Sequence, residues 1–261
     1  MVRKETNRIF TPDQTLLCAD YYDPEATDSA ARVPIIIVHG YCEHRGRYRI
    51  LAEHLVGRGH PVVTVDLRGH GESSGPRAHV RAFSEYLQDV TALFDHAEAR
   101  WTSQTQKPAA KPILLGHSMG GLVATRFLLE DPASQGRVSA LALSSPFFGL
   151  KIPVPAWKRG LGRLASVVYP GLSLPSDLDP ACLSHDPQVV AAYVADPLVS
   201  RVATARWFTE AMTAQQVIRE RAPRLTVPLL LMHGGDDAIA DPAASQAFFD
   251  RVKAKEKVLT L

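Results

Sequence analysis

The sequence is poor in the features that mark a specialised surface. Cysteine is scarce: Cys18, Cys42 and Cys182 are the only three in 261 residues. That number is odd and the spacing wide, which excludes a disulfide framework or a zinc site. Charge of one sign is lacking too. A formal net charge of +2 gives no electrostatic case for nucleic acid or a strongly acidic partner. No run approaches the roughly 18 apolar residues of a membrane span. The opening Met1-Val-Arg-Lys-Glu-Thr-Asn-Arg8 is not followed by the apolar stretch of a signal peptide. Low-complexity tracts and repeats are missing as well. The expected setting is reducing and cytoplasmic, peripheral to a membrane at most.

What the sequence does have is core. The apolar fraction is 46%, and the length suits one large α/β domain carrying an insertion. Short apolar runs at Ile35–Val38, Val62–Val65, Ile113–Leu115, Val138–Leu143 and Leu229–Met232 read as parallel strands buried on both faces. Helical patterns lie between them, at Tyr48–Val56, Phe83–Arg100, Gly121–Leu129 and Pro242–Val252. The alternation predicts a mostly parallel, doubly wound sheet. Arg8–Tyr22, with its Pro12-Asp13 turn, predicts an antiparallel hairpin at one edge, and Lys257–Leu261 a last strand.

The rhythm breaks where Pro153, Pro155, Pro170, Pro175, Pro180, Pro187 and Pro197 crowd together. Doubly wound sheets place ligands at the carboxyl ends of their strands, so this segment is expected to cap that edge. The organisation is then core over residues 1–146, cap over 147–206 and core again over 207–261. Within the cap, apolar residues at 157, 161, 164 and 168 alternate with Lys158, Arg159 and Arg163. The first reading is a helix burying one face over the cleft; the alternative is a helix resting transiently on a lipid surface.

Gly116-His-Ser-Met-Gly120 follows an apolar strand and opens a helix. That is the context in which G-x-S-x-G forms a nucleophile elbow. The turn strains Ser118 and demands small residues two before and two after it. Acyl transfer also needs two main-chain N–H donors where the oxyanion develops. Met119, next after the nucleophile, supplies one. Tyr41, in the loop Val38–Tyr48 that leaves an earlier strand, is best placed for the other. His39 reads as a packed loop histidine, and Glu43 with Arg47 as a pair either architectural or merely solvated. In Asp66-Leu-Arg-Gly-His-Gly-Glu-Ser-Ser-Gly75, His70 and Ser73 read as loop-stabilising. Asp237 is the expected acid after Leu229–Met232, with Asp236 as the alternative. Asp241-Pro242 reads as a helix N-cap.

Taken together these motifs resemble the monoacylglycerol lipase and lysophospholipase branch of the α/β-hydrolases, over essentially the whole chain. His39–Tyr48 is similar to that branch's oxyanion loop, Asp66–Ser73 to its D-x-R-G-H-G-x-S loop, and Gly116–Gly121 to its elbow. Leu183-Ser-His-Asp-Pro187 and Asp196-Pro-Leu-Val199 are similar to its cap. The resemblance implies an α/β-hydrolase fold with an inserted helical cap. It implies hydrolysis of a single-chain acyl lipid, with Ser118 as nucleophile, Asp237 as orienting acid and the Tyr41 and Met119 amides as oxyanion hole. It implies no cofactor and no metal.

The chain departs from the branch twice. Cys42 stands where a glycine is usual, a thiol that would line the pocket. The order Ser, acid, His also calls for a histidine after the last strand, whereas every histidine here precedes Asp237, the last being His233. The expectation is a longer natural chain that carries it. The alternatives are an esterase, thioesterase or aminopeptidase for a small soluble substrate, and a non-catalytic lipid-binding fold. Relatives that need an aspartate at the elbow are excluded by Ser118.

Overall fold

The computed structural model describes residues 2–24, 32–151, 154–176 and 179–261, without the side chains of 156, 158, 159 and 174. Pro153 and the side chains of Lys158 and Arg159, part of the cap reading, therefore lie outside the described residues.

The chain opens with a hairpin, β1 (Arg3–Phe10) and β2 (Leu16–Asp23), paired from Arg3↔Asp23 to Phe10↔Leu16. It starts at Arg3 rather than at the expected Arg8. The cause is that β1 is an edge strand, where polar residues suffice. Thr6 donates to Asp20 at 2.7 Å and Lys4 pairs with it at 2.9 Å, contacts that an apolar pattern does not reveal.

β3 (Ile35–Val38), α1 (Arg49–Gly57), β4 (Val62–Asp66), α2 (Ser84–Thr105) and β5 (Ile113–His117) follow. Then come α3 (Met119–Glu130), the short α4 (Pro132–Gln135) and β6 (Ala140–Ser144). After the cap, α7 (Ala205–Arg221) returns to β9 (Leu229–Met232), α8 (Pro242–Arg251) and β10 (Lys257–Thr260). The eight strands order as β1-β2-β4-β3-β5-β6-β9-β10. β1, β2 and β4 pair antiparallel, and every pair from β4 onward is parallel.

Period-2 geometry divides the strand side chains between two helical layers. Ile35 and Ile37 of β3 pack with Ala52 and Val56 of α1, while Ile36 and Val38 join the cluster that includes α2, α3 and α7. All four are buried, each stabilising by about 1.5–3 kcal/mol. Burial on both faces fails at β9, where Leu230 and Met232 are 39% and 37% exposed. One face is left partly uncovered near that edge, so β9 alternates like a half-buried strand.

The cap comprises α5 (Ala156–Val168), β7 (Ser173–Pro175), a 3-10 turn at Pro180–Cys182, α6 (Pro187–Ala195) and β8 (Val202–Thr204). β7 and β8 form a two-stranded antiparallel sheet of their own. Asp186 caps α6 by accepting from Gln188 N at 2.8 Å. α5 rests on α7, but not through its large side chains. Ser166 is buried, Gly162 and Ala165 half-buried, while Leu161, Leu164 and Val168 are exposed. The expectation that this helix buries its apolar stripe is thus corrected: small residues make the close approach to α7, and the stripe faces away. Among the described residues no helix is long and apolar enough to cross a membrane.

Candidate active site

The elbow meets its steric requirements. Ser118 has φ 50° and ψ −116°, in the region where a side chain is strained. A Cβ on Gly116 would stand 2.5 Å from Gly120 O, and one on Gly120 would stand 2.2 Å from Val38 O. Only glycine fits at either place. The turn is held by Ser118 N donating to Ser144 O at 3.0 Å and by Phe147 N donating to Ser118 O at 2.9 Å. Ser118 is half-buried, and its hydroxyl bonds to none of the described residues.

Gly40 carries the neighbouring loop up to the nucleophile: a Cβ there would lie 3.2 Å from Ser118 Cβ. Glu43 organises that loop. It accepts from Gly40 N and from the Tyr48 hydroxyl, both at 2.6 Å, and from Arg47 Nε at 3.0 Å. The Glu43–Arg47 pair is therefore architectural. Burial raises the Glu43 carboxyl. His117, the Tyr48 hydroxyl, His39 and the Gly40 amide outweigh it and hold the group below the usual carboxylate range. The N–H groups of Tyr41 and Met119 find no acceptor among the described residues. Met119 opens α3, where helix geometry leaves an N–H unspent.

The histidines of these loops are structural. Leu67 N donates to His39 Nε2 at 3.0 Å, so the proton sits on Nδ1 and goes to Gly40 O at 2.7 Å. Burial lowers its pKa. His70 Nδ1 donates to Arg68 O at 3.0 Å, and burial pushes this ring down to about 3. The Ser73 hydroxyl donates to Asp66 O at 2.6 Å and accepts from Cys18 N at 2.9 Å. Beneath them lies a group that the sequence reading missed. Asp66 accepts from Arg45 N at 2.7 Å, from Glu72 N at 2.9 Å and from the Arg45 guanidinium, whose Nε stands 3.2 Å from Asp20 Oδ2. The available signal was opposite charges on two loops that leave adjacent strands, Arg45 after β3 and Asp66 with Glu72 after β4.

Cys42 also departs from its expectation. Its φ is 62°, the glycine-like value that the usual residue would adopt freely. The thiol is buried, with Sγ 3.7 Å from Val202 O. Burial raises its pKa to about 12. It is covered by the cap and is no reactive group.

Asp237 follows β9, with β6 between it and the elbow strand β5. Residues Ser144 and Ser145 join the two sides: Ser144 O holds Ser118 N, and Ser145 N donates to Met232 O at 2.8 Å. Asp237 Oδ1 accepts from Ile239 N and Ala240 N at 2.8 and 2.9 Å, and Oδ2 stands 3.4 Å from His233 Nε2. Burial raises this carboxyl; His233 and the two amides reverse the effect and keep it below its ordinary value. His233 is buried and also engages Ser245 Oγ at 2.8 Å. It braces the acid loop, and no described histidine bonds to Ser118. Asp241 caps α8 through Ala243 N at 3.0 Å with Pro242 at the first position. Asp236 is exposed.

Among the described residues no cluster of side chains could hold a metal ion. The arrangement offers a half-buried serine on a strained turn, two unspent N–H donors around it and an ionised acid one strand away.

The family described as serine aminopeptidase, S33, matches residues 29–261. A monoacylglycerol lipase of Mycolicibacterium smegmatis is 35% identical over 240 residues, 90% of this chain and 81% of that protein. Phospholipase YtpA of Bacillus subtilis is 33% identical over 224 residues, 85% of this chain and 83% of that protein. The crystal structure of a Paleococcus ferrophilus monoacylglycerol lipase superposes with a TM-score of 0.81 at 30% identity, covering 94% of this chain and 87% of that one.

Proposed function

The chain belongs to the serine aminopeptidase S33 family of α/β-hydrolases, close to monoacylglycerol lipase and phospholipase homologues, and on that premise we propose that it hydrolyses single-chain acyl lipids, monoacylglycerol or lysophospholipid, through an acyl-enzyme on Ser118. The observation that carries the reading is the elbow itself: Ser118 at φ 50° beside the unspent N–H groups of Tyr41 and Met119.

Ser118 Oγ attacks the ester carbonyl carbon and gives its proton to an imidazole. The carbonyl oxygen becomes an oxyanion between the Tyr41 and Met119 amides, where fixed dipoles need no reorganisation. The tetrahedral species collapses, and the glycerol or glycerophospho alcohol leaves with the proton. Water then releases the fatty acid by the reverse sequence. Asp237 orients the imidazole and stabilises its charged form. By the resemblance that histidine follows the last strand. β10 runs parallel to β9 with Thr260 beside Met232, so a residue following β10 emerges next to the Asp237 loop.

The cap adds a second element to the proposal. Leu161, Leu164 and Val168 are exposed along one side of α5, and residues 149–175 contain Lys151, Lys158, Arg159 and Arg163 with no acid. Apolar exposure with positive charge suits transient contact with an anionic bilayer. The cysteines are unbridged, in keeping with a reducing cytoplasmic setting.

The test is a fluorophosphonate probe with intact-mass detection, followed by turnover of long- and short-chain esters. One adduct at Ser118, absent in Ser118→Ala, and preference for long chains are expected; the variant should lose about 10⁴-fold or more in kcat. Labelling with preference for short soluble substrates would move the protein to the esterase, thioesterase or aminopeptidase class. A retained lipid with no labelling would make it a binding fold.

A further inference from the structure

The loop that presents Tyr41 is held from outside as well as from within. On its inner side Glu43 ties Gly40 to Tyr48. On its outer side, Tyr41, Cys42, His44 and Arg47 meet residues 193–207, the end of the cap and the first turn of α7. The Tyr41 hydroxyl donates to Val202 O at 3.1 Å, and its ring stacks on Trp207 with centroids 3.5 Å apart. Cys42 O accepts from Ser200 N at 2.9 Å. His44 Nε2 meets Asp196 Oδ2 at 2.8 Å, and the Arg47 guanidinium lies 4.9 Å from the Tyr193 ring centre.

Local sequence does not favour the shape being held. Cys42 has a Cβ and yet sits at φ 62°, a conformation that persists only where the surroundings over-determine it. The surroundings here are the cap segment, whose backbone at Ser200 and Val202 covers Cys42. Its anchor is Asp196, which ends α6. Asp196 Oδ1 accepts from Leu198 N at 2.9 Å, leaving Oδ2 for His44. Gly46 N donates to His44 Nδ1 at 3.2 Å, so Nε2 carries the proton and the neutral ring is the donor to Asp196.

We propose that Asp196 and His44 are positioning residues for the oxyanion hole: the cap segment 193–207 is a fixed strap that keeps the Gly40–Cys42 backbone against Ser118. The cap then has two parts with different duties. α5 meets the substrate's surroundings, and the strap sets the geometry of the step in which the carbonyl oxygen gains charge. The inference rests on the Ser118 acyl-transfer reading for its kinetic consequence, though not for its structural one.

The pairing also sets what a replacement must keep. Position 196 accepts twice, from Leu198 N and from His44 Nε2, so alanine keeps neither acceptor and asparagine, with one oxygen, keeps one. Asp196→Ala should lower kcat on a long-chain monoacylglycerol at least tenfold, a part of what loss of one oxyanion donor costs, with KM within about twofold. Asp196→Asn, with one acceptor for two donors, should fall between Asp196→Ala and the parent. Hydrogen exchange supplies a readout without turnover: the amides of residues 41–46 should exchange at least tenfold faster in Asp196→Ala than in the parent. Circular dichroism and thermal unfolding identify a variant that merely fails to fold, in which case His44→Leu, which removes the donor from the loop side, replaces it. Parent-like kcat and exchange in a folded Asp196→Ala would overturn the strap. If the parent itself is neither labelled by fluorophosphonate nor active, the hydrolase reading fails, and exchange alone decides the strap.

Discussion

Two regions over the same sheet edge are built on opposite terms. Beneath the serine, the loops after β3 and β4 bury charge and match it. Arg45 is 6% exposed and lies among Asp20, Asp66 and Glu72. Gly71 sits at φ 49°, and a Cβ there would stand 2.2 Å from Asp66 Oδ2, so only glycine fits. In the cap, α5 does the reverse: Leu164 is 60% and Val168 73% exposed, while Ser166 is buried. Buried, matched charge resists rearrangement, because any displacement leaves an ion without a partner. The exposed Leu161, Leu164 and Val168 can exchange water for lipid. The contrast suits a site whose donors must stay still while its entrance meets a variable surface.

The comparison can be broken at either end. Arg45→Met leaves Asp20 and Asp66 buried without their cation and should cost about 3–5 kcal/mol, read as a lower urea midpoint at pH 7. A loss below about 1 kcal/mol would put Arg45 in the class of surface pairs, and the two regions would no longer differ.

A second experiment uses pH. Burial places the folded pKa of His70 at about 3, against an ordinary 6.5. Between those values the unfolded chain binds the proton and the folded one does not. The contribution is present above pH 6.5 and is lost as pH falls from there towards 3. From pH 6.5 to 5 the parent should lose roughly 1–2 kcal/mol through this group. His70→Gln should show a shallower fall over that interval. Parallel curves would mean that His70 is not held neutral in the folded loop.

The smallest effect on stability is expected at α5. Leu161→Ser with Leu164→Ser should change unfolding free energy by no more than about 0.5 kcal/mol, while sedimentation with anionic vesicles falls severalfold. A loss of about 2 kcal/mol or more would show that the stripe is packed, making the cap helix one more piece of core.

Much of this frame was legible in the chain. The run Ile35–Val38 became a strand with those bounds, because continuous burial writes itself as continuous apolarity; Leu229–Met232 kept its bounds as well, although only alternate residues of it are buried. The elbow was legible because its steric demands fall on residues two positions from Ser118. Other features escaped because their partners are distant in sequence. The polar strand β1 depends on Asp20, and the thiol of Cys42 on a carbonyl that lies 160 residues on. The facing of α5 escaped for another reason: its periodicity marks an apolar stripe but not whether that stripe or its small-residue side meets the protein.

By itself, then, the sequence determined the alternating strand and helix layers, the strained turn at Ser118 and the position of Asp237 after β9. Each is encoded by neighbours within a few residues, where period, turn sterics and chain order act directly. Tertiary structure alone decided that Glu43 is the hub of the oxyanion loop, that His233 braces the acid loop, that Arg45 is buried among three carboxylates, and that the cap meets that loop through Asp196 and Val202. Those outcomes depend on which polar groups are brought together out of water, a matter of how strands are ordered in the sheet and of where burial leaves each charge.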